Sequence, residues 1–571
     1  MSVVGVTDIF QFFQTIAHNP MASCFFHANN KKRMNSKIYK LVITLLLLAQ
    51  IPVHSFAQGL DERINDSVMP AALWWESFVF TEVSLGGFSI PIVLILLVFG
   101  AAFFSVSFGF VNIRRFVTSI RIVRGKYDEL EHAKPVTTDT VPTVDGDIPD
   151  TIRDEGHQGE VNHFQALATA VSGTVGLGNI AMVAVAISIG GPGATFWMII
   201  AGFLGMSSKF VECTLGVKYR DIDASGRVYG GPMYYLSRGL KEMGWASLGK
   251  FLAVLFAIMC VGASFGGGNA FQSNQAAAQI IERFGLEGAA SGTLLGIFFA
   301  ILVGIVIIGG IKRIAKVTER IVPFMAIIYV ASALIIILAK INFVGDAFQL
   351  IFSEAFSPRA TITGGFMGVM IQGFRRAAFS NEAGAGSAAI AHSAVNTRYP
   401  ASEGLVGLLE PFIDTVVICT MTALVIIIFN MEGNFVYGDV IENQALLTAT
   451  GERIGGVNLT SMAFDSVIPG FSYLLAIAVV LFAFSTMLSW SYYGLQSWTY
   501  LFGRGKWTDL TYKFIFLLFT VLGSAVTLDA VIKFSDAMIL ALVFPNMIGL
   551  FFLFPKVRAE LARYMLAIKN R

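Results

Sequence analysis

Along most of this chain the apolar residues neither alternate nor recur at helical spacing; they run on without interruption. A helix needs about 20 mostly apolar residues to cross the hydrocarbon core of a bilayer. Eleven such runs are predicted after residue 90, near 91–111, 164–188, 193–216, 249–279, 290–310, 317–341, 364–395, 404–429, 468–500, 511–530 and 534–554. Two of them have unusual centres. The run 164–188 contains Ser172-Gly-Thr-Val-Gly-Leu-Gly-Asn-Ile-Ala181, and the run 364–395 contains Ser380-Asn-Glu-Ala-Gly384-Ala-Gly386-Ser387. Glycines, amides and an acid are poor material for the middle of a membrane helix.

Composition supports the membrane reading. Of 571 residues, 55% are hydrophobic and 14% charged, against about 25% charged in an ordinary soluble domain. Mean hydropathy is +0.69. A net charge of +2 gives no reason to expect nucleic acid. Cys24, Cys213, Cys260 and Cys419 are scattered and form neither a disulfide framework nor a zinc pattern. Six of the seven histidines precede Phe164, leaving His392 in the core, so neither a histidine-based metal site nor any other cofactor is expected.

Met34 to Gln58 has a basic head, an apolar run and small residues at Ser55 and Ala57, the pattern of a signal peptide (34–57) cleaved after Ala57. Met34 then reads as the true start and residues 1–33 as an over-extended beginning. The expected order is an extracytoplasmic segment 58–90, an extra span 91–111, an acidic, flexible cytoplasmic linker within 112–162, five spans in 163–342, five in 343–554 and a cytoplasmic tail 555–571. Lys and Arg accumulate on the cytoplasmic side of membrane proteins. One set of connections is rich in them (Lys218, Arg220, Lys312, Arg313, Arg504, Lys506 among others), while the opposite set holds Arg283, Arg359, Arg453 and Lys533. This alternation places the C-terminus in the cytoplasm of a bacterial-type inner membrane.

Two soluble-enzyme motifs occur by accident. Gly176-Leu-Gly178-Asn-Ile-Ala181 fits the dinucleotide fingerprint but has no strand before it and no acid after it. Gly262-Ala-Ser-Phe-Gly266 fits a nucleophile elbow without a sheet, acid or histidine. No nucleophile–base pair or metal-ligand set is present in the core, so an enzyme is not expected.

Irregular backbone survives in lipid only where it lines a cavity or site. A mid-membrane break bares the N–H ends of one half-helix and the C=O ends of the other, which attract a carboxylate and a cation respectively. The two breaks open the first and second sets of five spans. Five is odd, so the second set runs in the opposite orientation. Paired breaks in inverted halves point to a secondary transporter; close helix packing through small residues is the competing reading.

The stretches HFQALATAVSGTVGLGNIAMVAVAI (163–187), GGPGATFWM (190–198), KYR (218–220), GGPMYYL (230–236), FSNEAGAGSAAIA (379–391) and FIDTVVICTMTAL (412–424) make the chain resemble the alanine or glycine:cation symporter family from about Pro91 onward. The resemblance implies an all-α polytopic fold like that of the neurotransmitter:sodium symporters, with five plus five inverted spans and broken first and sixth core helices. It also implies sodium-coupled import of a small neutral amino acid, alanine or glycine, with the bilayer, the substrate and Na+ as partners. A proton-coupled or glutamine-type carrier and a non-transporting amino-acid sensor are the alternatives. The long linker and the signal-like N-terminus depart from the family.

Resemblance and local chemistry together give residue roles. The substrate carboxylate is expected against the backbone of Gly176 to Asn179, alone or with a sodium ion. The ammonium is expected against the carbonyls of Phe379 and Ser380 and the side chain of Glu382. An intramembrane acid is usually functional, although Arg375 or Arg376 could instead be the partner of Glu382. Gln272 either reads one end of the substrate or links helices. Thr486 and Trp490 complete the substrate set, with Phe379 and Trp490 as caps. A cation is expected between Ser485, Thr486 and Ser489 and the carbonyls near Ser172 and Val175; a second candidate uses Thr174, Asn179 and Ser380. Back-bonding of these hydroxyls to the preceding turn is the alternative. Glu212, Glu319, Glu410, Asp414 and Asp536 are expected to pair with interfacial bases or backbone, which leaves proton coupling open.

Overall fold

The computed structural model describes residues 60–85, 88–132, 159–223, 225–286, 288, 290–359 and 362–571. The predicted signal segment and the over-extended start lie outside these residues. Helix α1 (Leu60–Val79) and the hairpin β1–β2 (Glu82–Leu85, Phe88–Pro91) lead into α2 (Ile92–Ser107). Three short helices follow, α3 (Val111–Arg114), α4 (Phe116–Val123) and α5 (Asp128–His132). Tyr127 and Glu131, at the start of the expected flexible linker, are buried against the core, and residues 133–158 of that linker lie outside the described residues.

The core begins with α6 (His163–Thr174), one 3-10 turn (Leu177–Asn179) and α7 (Ala181–Gly190), the two helices bent by 53° at the break. Asn162 starts α6 by a reciprocal cap: its side chain accepts from the Gln165 N–H, and the Gln165 side chain accepts from the Asn162 N–H. Next come α8 (Gly193–Lys218), the hairpin β3–β4 (Asp221–Ile222, Val228–Tyr229), α9 (Pro232–Glu242) and α10 (Ala246–Phe265). A π turn (Gly266–Ala270) joins α10 to α11 (Phe271–Phe284), and α12 (Ser291–Ile307), α13 (Gly310–Ala339) and α14 (Ile341–Phe356) follow.

Next come α15 (Gly365–Asn381) and, after an irregular stretch, α16 (Ala389–His392). Then α17 (Pro400–Gly407), α18 (Leu409–Pro411), a second π segment (Phe412–Cys419) and α19 (Thr420–Asn430) form one continuous span. A three-stranded antiparallel sheet, β5 (Phe435–Ile441), β6 (Gln444–Leu447) and β7 (Arg453–Gly455), occupies what the sequence reading left as a plain connection. Helices α20 (Gly456–Asp465), α21 (Ser472–Phe502), α22 (Lys506–Ala525), α23 (Leu528–Ala541) and α24 (Val543–Lys569) finish the chain. The predicted tail after 554 is thus helical to Lys569, with Val557 and Tyr564 buried.

Among the described residues seven helical spans are long and apolar enough to cross a bilayer, and the bent pair α6/α7 makes an eighth. The other three predicted spans are the shorter apolar α2 and α12 and the polar-centred α15/α16. The molecule is therefore a multi-pass helical membrane protein. Its outer helices carry bare apolar side chains, such as Leu294, Phe298, Ile301 and Ile305 on α12, which lipid covers. The residues about the two breaks, 174–181 and 379–387, are buried.

Candidate functional site

At the first break the helix ends because Gly176 takes an extended conformation (φ −136°, ψ −151°). Glycine is required there by proximity: a Cβ would lie 2.4 Å from Thr486 Oγ1 and 3.1 Å from Gln272 Oε1. The freed N–H groups have side-chain partners. Gly176 N–H donates to Asn179 Oδ1 (2.9 Å), and Leu177 N–H donates to Gln272 Oε1 (3.1 Å). Gln272 Nε2 in turn donates to the Gly267 carbonyl in the first π turn (2.9 Å). Two of the N–H groups that the sequence reading offered to a carboxylate are thus held by Asn179 and Gln272. The carbonyl of Ile180 beyond the break accepts from Thr460 on α20 (3.0 Å).

The second break is a run of left-handed conformations, Glu382 (φ 54°), Gly384 (φ 95°) and Gly386 (φ 85°). A non-glycine residue held there stores strain of about 1–3 kcal/mol, which tends to concentrate at functional sites. Asn381 Oδ1 accepts from the Ala383 N–H, and Glu212 Oε1 accepts from the Gly384 N–H, both at 2.9 Å. Asn546 on α24 donates to the Gly384 carbonyl and to Glu212, each at 2.8 Å.

The Glu382 carboxylate accepts from Ser387 Oγ and from Trp490 Nε1 (3.1 Å). The same indole N–H faces the Gly173 carbonyl at 3.3 Å, so Trp490 joins the two breaks. The alternative partner for Glu382 does not apply. Arg375 and Arg376 both pair with Asp536 on α23 (2.8 and 2.9 Å), and Arg375 also reaches Glu76 on α1 (3.0 Å).

Between the breaks is a small cavity, about 10 Å³, room for about one water molecule. Gly173, Thr174, Gly178, Gly267, Gln272, Phe379, Glu382, Trp490 and Ile539 line it. Five predicted site residues therefore meet there: Thr174, Gln272, Phe379, Glu382 and Trp490. Phe379 is held edge-on by Phe271 at 5.4 Å between ring centres. The remaining predicted residues lie just outside in two groups.

One group joins α6 to α21 through hydroxyl–carbonyl bonds. Ser172 Oγ donates to the Ser485 carbonyl (2.7 Å), Thr486 Oγ1 to the Ser172 carbonyl (2.9 Å) and Ser489 Oγ to the Thr169 carbonyl (2.8 Å). Val175 ends the helix beside them with its N–H on the Val171 carbonyl. The other group surrounds Asp414, an acid expected to pair with an interfacial base or with backbone. Asn179 Nδ2 donates to Asp414 Oδ1 (2.6 Å), to the Asp414 carbonyl (3.1 Å) and toward Cys419 Sγ (3.3 Å), which Ser380 Oγ also reaches at 3.4 Å. Thr415 donates to the second Asp414 oxygen (2.7 Å) and accepts from Asn381 (2.9 Å). Asp414 is fully buried, in the second π segment. Its signal was present, a lone acid inside the apolar run Phe412–Leu424. Thr174 does not join this group; its hydroxyl back-bonds to Ala170 and Val171. No cluster of three or more acidic, histidine or cysteine side chains able to hold a metal occurs among the described residues.

A family model described as "Sodium:alanine symporter family" matches residues 77–571. The sodium/alanine symporter AgcS of Methanococcus maripaludis is 41% identical over 73% of this chain and 87% of its own. A probable sodium/glutamine symporter, GlnT of Bacillus subtilis, is 33% identical over 71% and 78% of the two chains. A sodium/proton-dependent alanine carrier of Bacillus sp. strain PS3 is 32% identical over 72% and 89%. Among solved structures, MhsT in complex with L-phenylalanine aligns over 70% of this chain and 99% of its own, with 16% identity and a TM-score of 0.45. With a family model spanning most of its length and relatives of this identity covered almost end to end, the chain belongs to the sodium:alanine symporter family and is a transporter, not an enzyme.

Proposed function

We propose that the protein imports a small neutral amino acid, alanine or glycine, together with sodium, one half of the molecule rocking against the other around a fixed midplane site. The observation that carries this reading is the cavity itself, where a carboxylate (Glu382), an amide (Gln272), an indole N–H (Trp490) and the ends of two broken helices converge on a space bounded by glycines and Phe379. In this reading the substrate ammonium meets Glu382 and the carbonyls of Phe379 and Ser380. Its carboxylate lies toward Gly178 and the N–H face of the first break, with Gln272 and Asn179 bracing that backbone. Phe379 and Trp490 cap the cavity. The names of the relatives support sodium and alanine; glutamine and protons stay as rivals because other relatives are named for them.

Two places suit the coupling ion, since sodium prefers hard oxygen ligands. One lies between the carbonyls of Ser172 and Val175 and the hydroxyls of Ser485, Thr486 and Ser489. The other is the Asn179–Ser380 pair, with Asp414 supplying the full negative charge that a buried cation needs; Thr174, expected there, turns its hydroxyl back to its own helix. The two five-span sets are inverted relative to one another, and the C-terminus lies in the cytoplasm of an inner membrane.

Counterflow of labelled alanine in proteoliposomes, with and without an inward sodium gradient, tests the function. Exchange and sodium-driven accumulation support it. Binding without exchange would replace it with a sensor.

A further inference from the structure

A line of buried ionisable side chains leads from the end of α6 opposite the break into the core, apart from the cavity. Glu131 on α5 faces His163 Nε2 (2.7 Å), and His163 Nδ1 faces Glu403 on α17. The other Glu403 oxygen faces His392 Nδ1 on α16 (2.5 Å). His392 Nε2 faces Glu410 on α18 (3.5 Å), and Glu410 pairs with Lys209 on α8 (3.2 Å). None of these six side chains is more than 6% exposed.

Counting protons requires no assumption about tautomers. A neutral imidazole carries one N–H, yet both nitrogens of His163 are within hydrogen-bond reach of carboxylates, whereas His392 bonds Glu403 through Nδ1 and its Nε2 stands 3.5 Å from Glu410 without a hydrogen bond. His163, or a carboxyl beside it, must therefore hold one extra proton, and charge balance calls for a second at His392. With both in place, the carboxylates of Glu131, Glu403 and Glu410 are balanced by Lys209 and two imidazoliums, and the line is neutral. Without them, three buried carboxylates are left with one cation, an arrangement burial penalises severely.

The other groups acting on this line are Tyr564 on α24, which donates to Glu131 (2.7 Å), the hydroxyls of Thr397 and Ser402, also on Glu131, Cys213 beside His392, and Glu212 and Glu382 acting on Lys209. Burial pushes the Glu131 carboxyl up, but His163 and the neighbouring donors outweigh it and hold the group below the usual carboxylate range. That direction fits a cationic partner.

We propose that His163 and His392, seated between Glu131, Glu403 and Glu410, form a buried two-proton site that latches the outer half of the broken first helix, α6, at its cytoplasmic end. This rests on the transport reading and the orientation given above. His163 is the first residue of α6, so α6 cannot swing away from α17 without separating that ring from Glu403. On opening, water reaches the line through Glu131, two protons leave to the cytoplasm, and the rings become neutral; closure takes two protons back. Because the closed form binds protons more tightly, the latch is complete at low pH and weakens as pH rises.

Hydrogen exchange of the full-length protein in nanodiscs tests this, comparing peptides that cover 163–174 at about pH 6 and about pH 9 after correction for intrinsic rates. The wild type should lose protection of those peptides by at least about tenfold at the higher pH, while peptides from the first half of α8 stay unchanged. His163→Gln combined with His392→Gln should remove the difference. In case that variant fails to fold, a pH-indicator dye in weakly buffered wild-type protein gives a second reading. Withdrawal of sodium and alanine should release about two protons per molecule. Wild-type protection that does not change with pH, or no proton release, overturns the latch. Failure of alanine counterflow alongside pH-dependent protection would overturn the substrate reading and leave the latch standing.

Discussion

Trp490 Nε1 lies 3.1 Å from a Glu382 carboxylate oxygen and 3.3 Å from the Gly173 carbonyl, so a single indole proton links the two broken helices across the cavity. Trp490 is itself buried to 1% exposure, and a Cβ on Gly268 of the first π turn would lie 2.2 Å from it. The ring is therefore fixed in place, and Glu382 with it.

Trp490→Phe removes the donor together with part of the buried ring. A hydrogen bond to a charged group contributes about 1.5–3 kcal/mol. Alanine affinity should fall by roughly tenfold to a hundredfold, and the buried volume lost should lower the melting temperature as well. Substrate binding by scintillation proximity checks it; an unaltered affinity would take Trp490 out of the site.

Gly176 and Gly178 should respond differently to alanine. At Gly176 the new methyl meets Thr486 Oγ1 at 2.4 Å, and this side chain is tied to the Ser172 carbonyl, so transport should be lost. At Gly178 the nearest atom is Phe379 Cδ1 at 3.5 Å, ordinary contact, so the protein should fold and its cavity narrow. Glycine uptake should then survive better than alanine uptake, as competition assays would read directly.

Asp414→Asn retains the shape of the Asn179 contact and removes the charge. If the acid helps to bind the coupling ion, the half-saturating sodium concentration should rise by about tenfold or more, since losing a paired charge in a buried site costs several kcal/mol. The maximal rate at saturating sodium should change less. A sodium titration of uptake measures both quantities.

Asp536→Asn leaves Arg376, 2% exposed, without its carboxylate. Removing one partner of a buried ion pair typically destabilises by about 3–5 kcal/mol. The variant should melt markedly lower, and adding Arg376→Met should restore most of the loss. Thermal unfolding in detergent checks the pair, and it does so without any transport assay.

The two breaks could be read from the chain because a glycine or an amide in the middle of an apolar run is a local signal, visible without neighbours. Thr174, Gln272, Phe379, Glu382 and Trp490 are expected from the family resemblance together with local chemistry, and all five line one cavity. Asp536 was legible as an acid but not as the partner of Arg376, which lies 160 residues earlier. The same holds for Asp414, and for His163 and Glu403, separated by 240 residues. Pairings of that kind are decided by which helices pack together, and nothing in the local pattern reports it. The sheet β5–β7 was missed because its strands, three to seven residues long, lie in a mixed polar connection with little alternation.

The central claim is that one site built from both breaks binds an amino acid and sodium together. Linkage makes it testable at equilibrium: whatever factor sodium adds to alanine affinity, alanine must add to sodium affinity. Calorimetric titration of alanine at several sodium concentrations, and of sodium at several alanine concentrations, measures both factors on the same protein. The account predicts equal factors, each well above one, both reduced by Asp414→Asn. Alanine binding that is indifferent to sodium would contradict it.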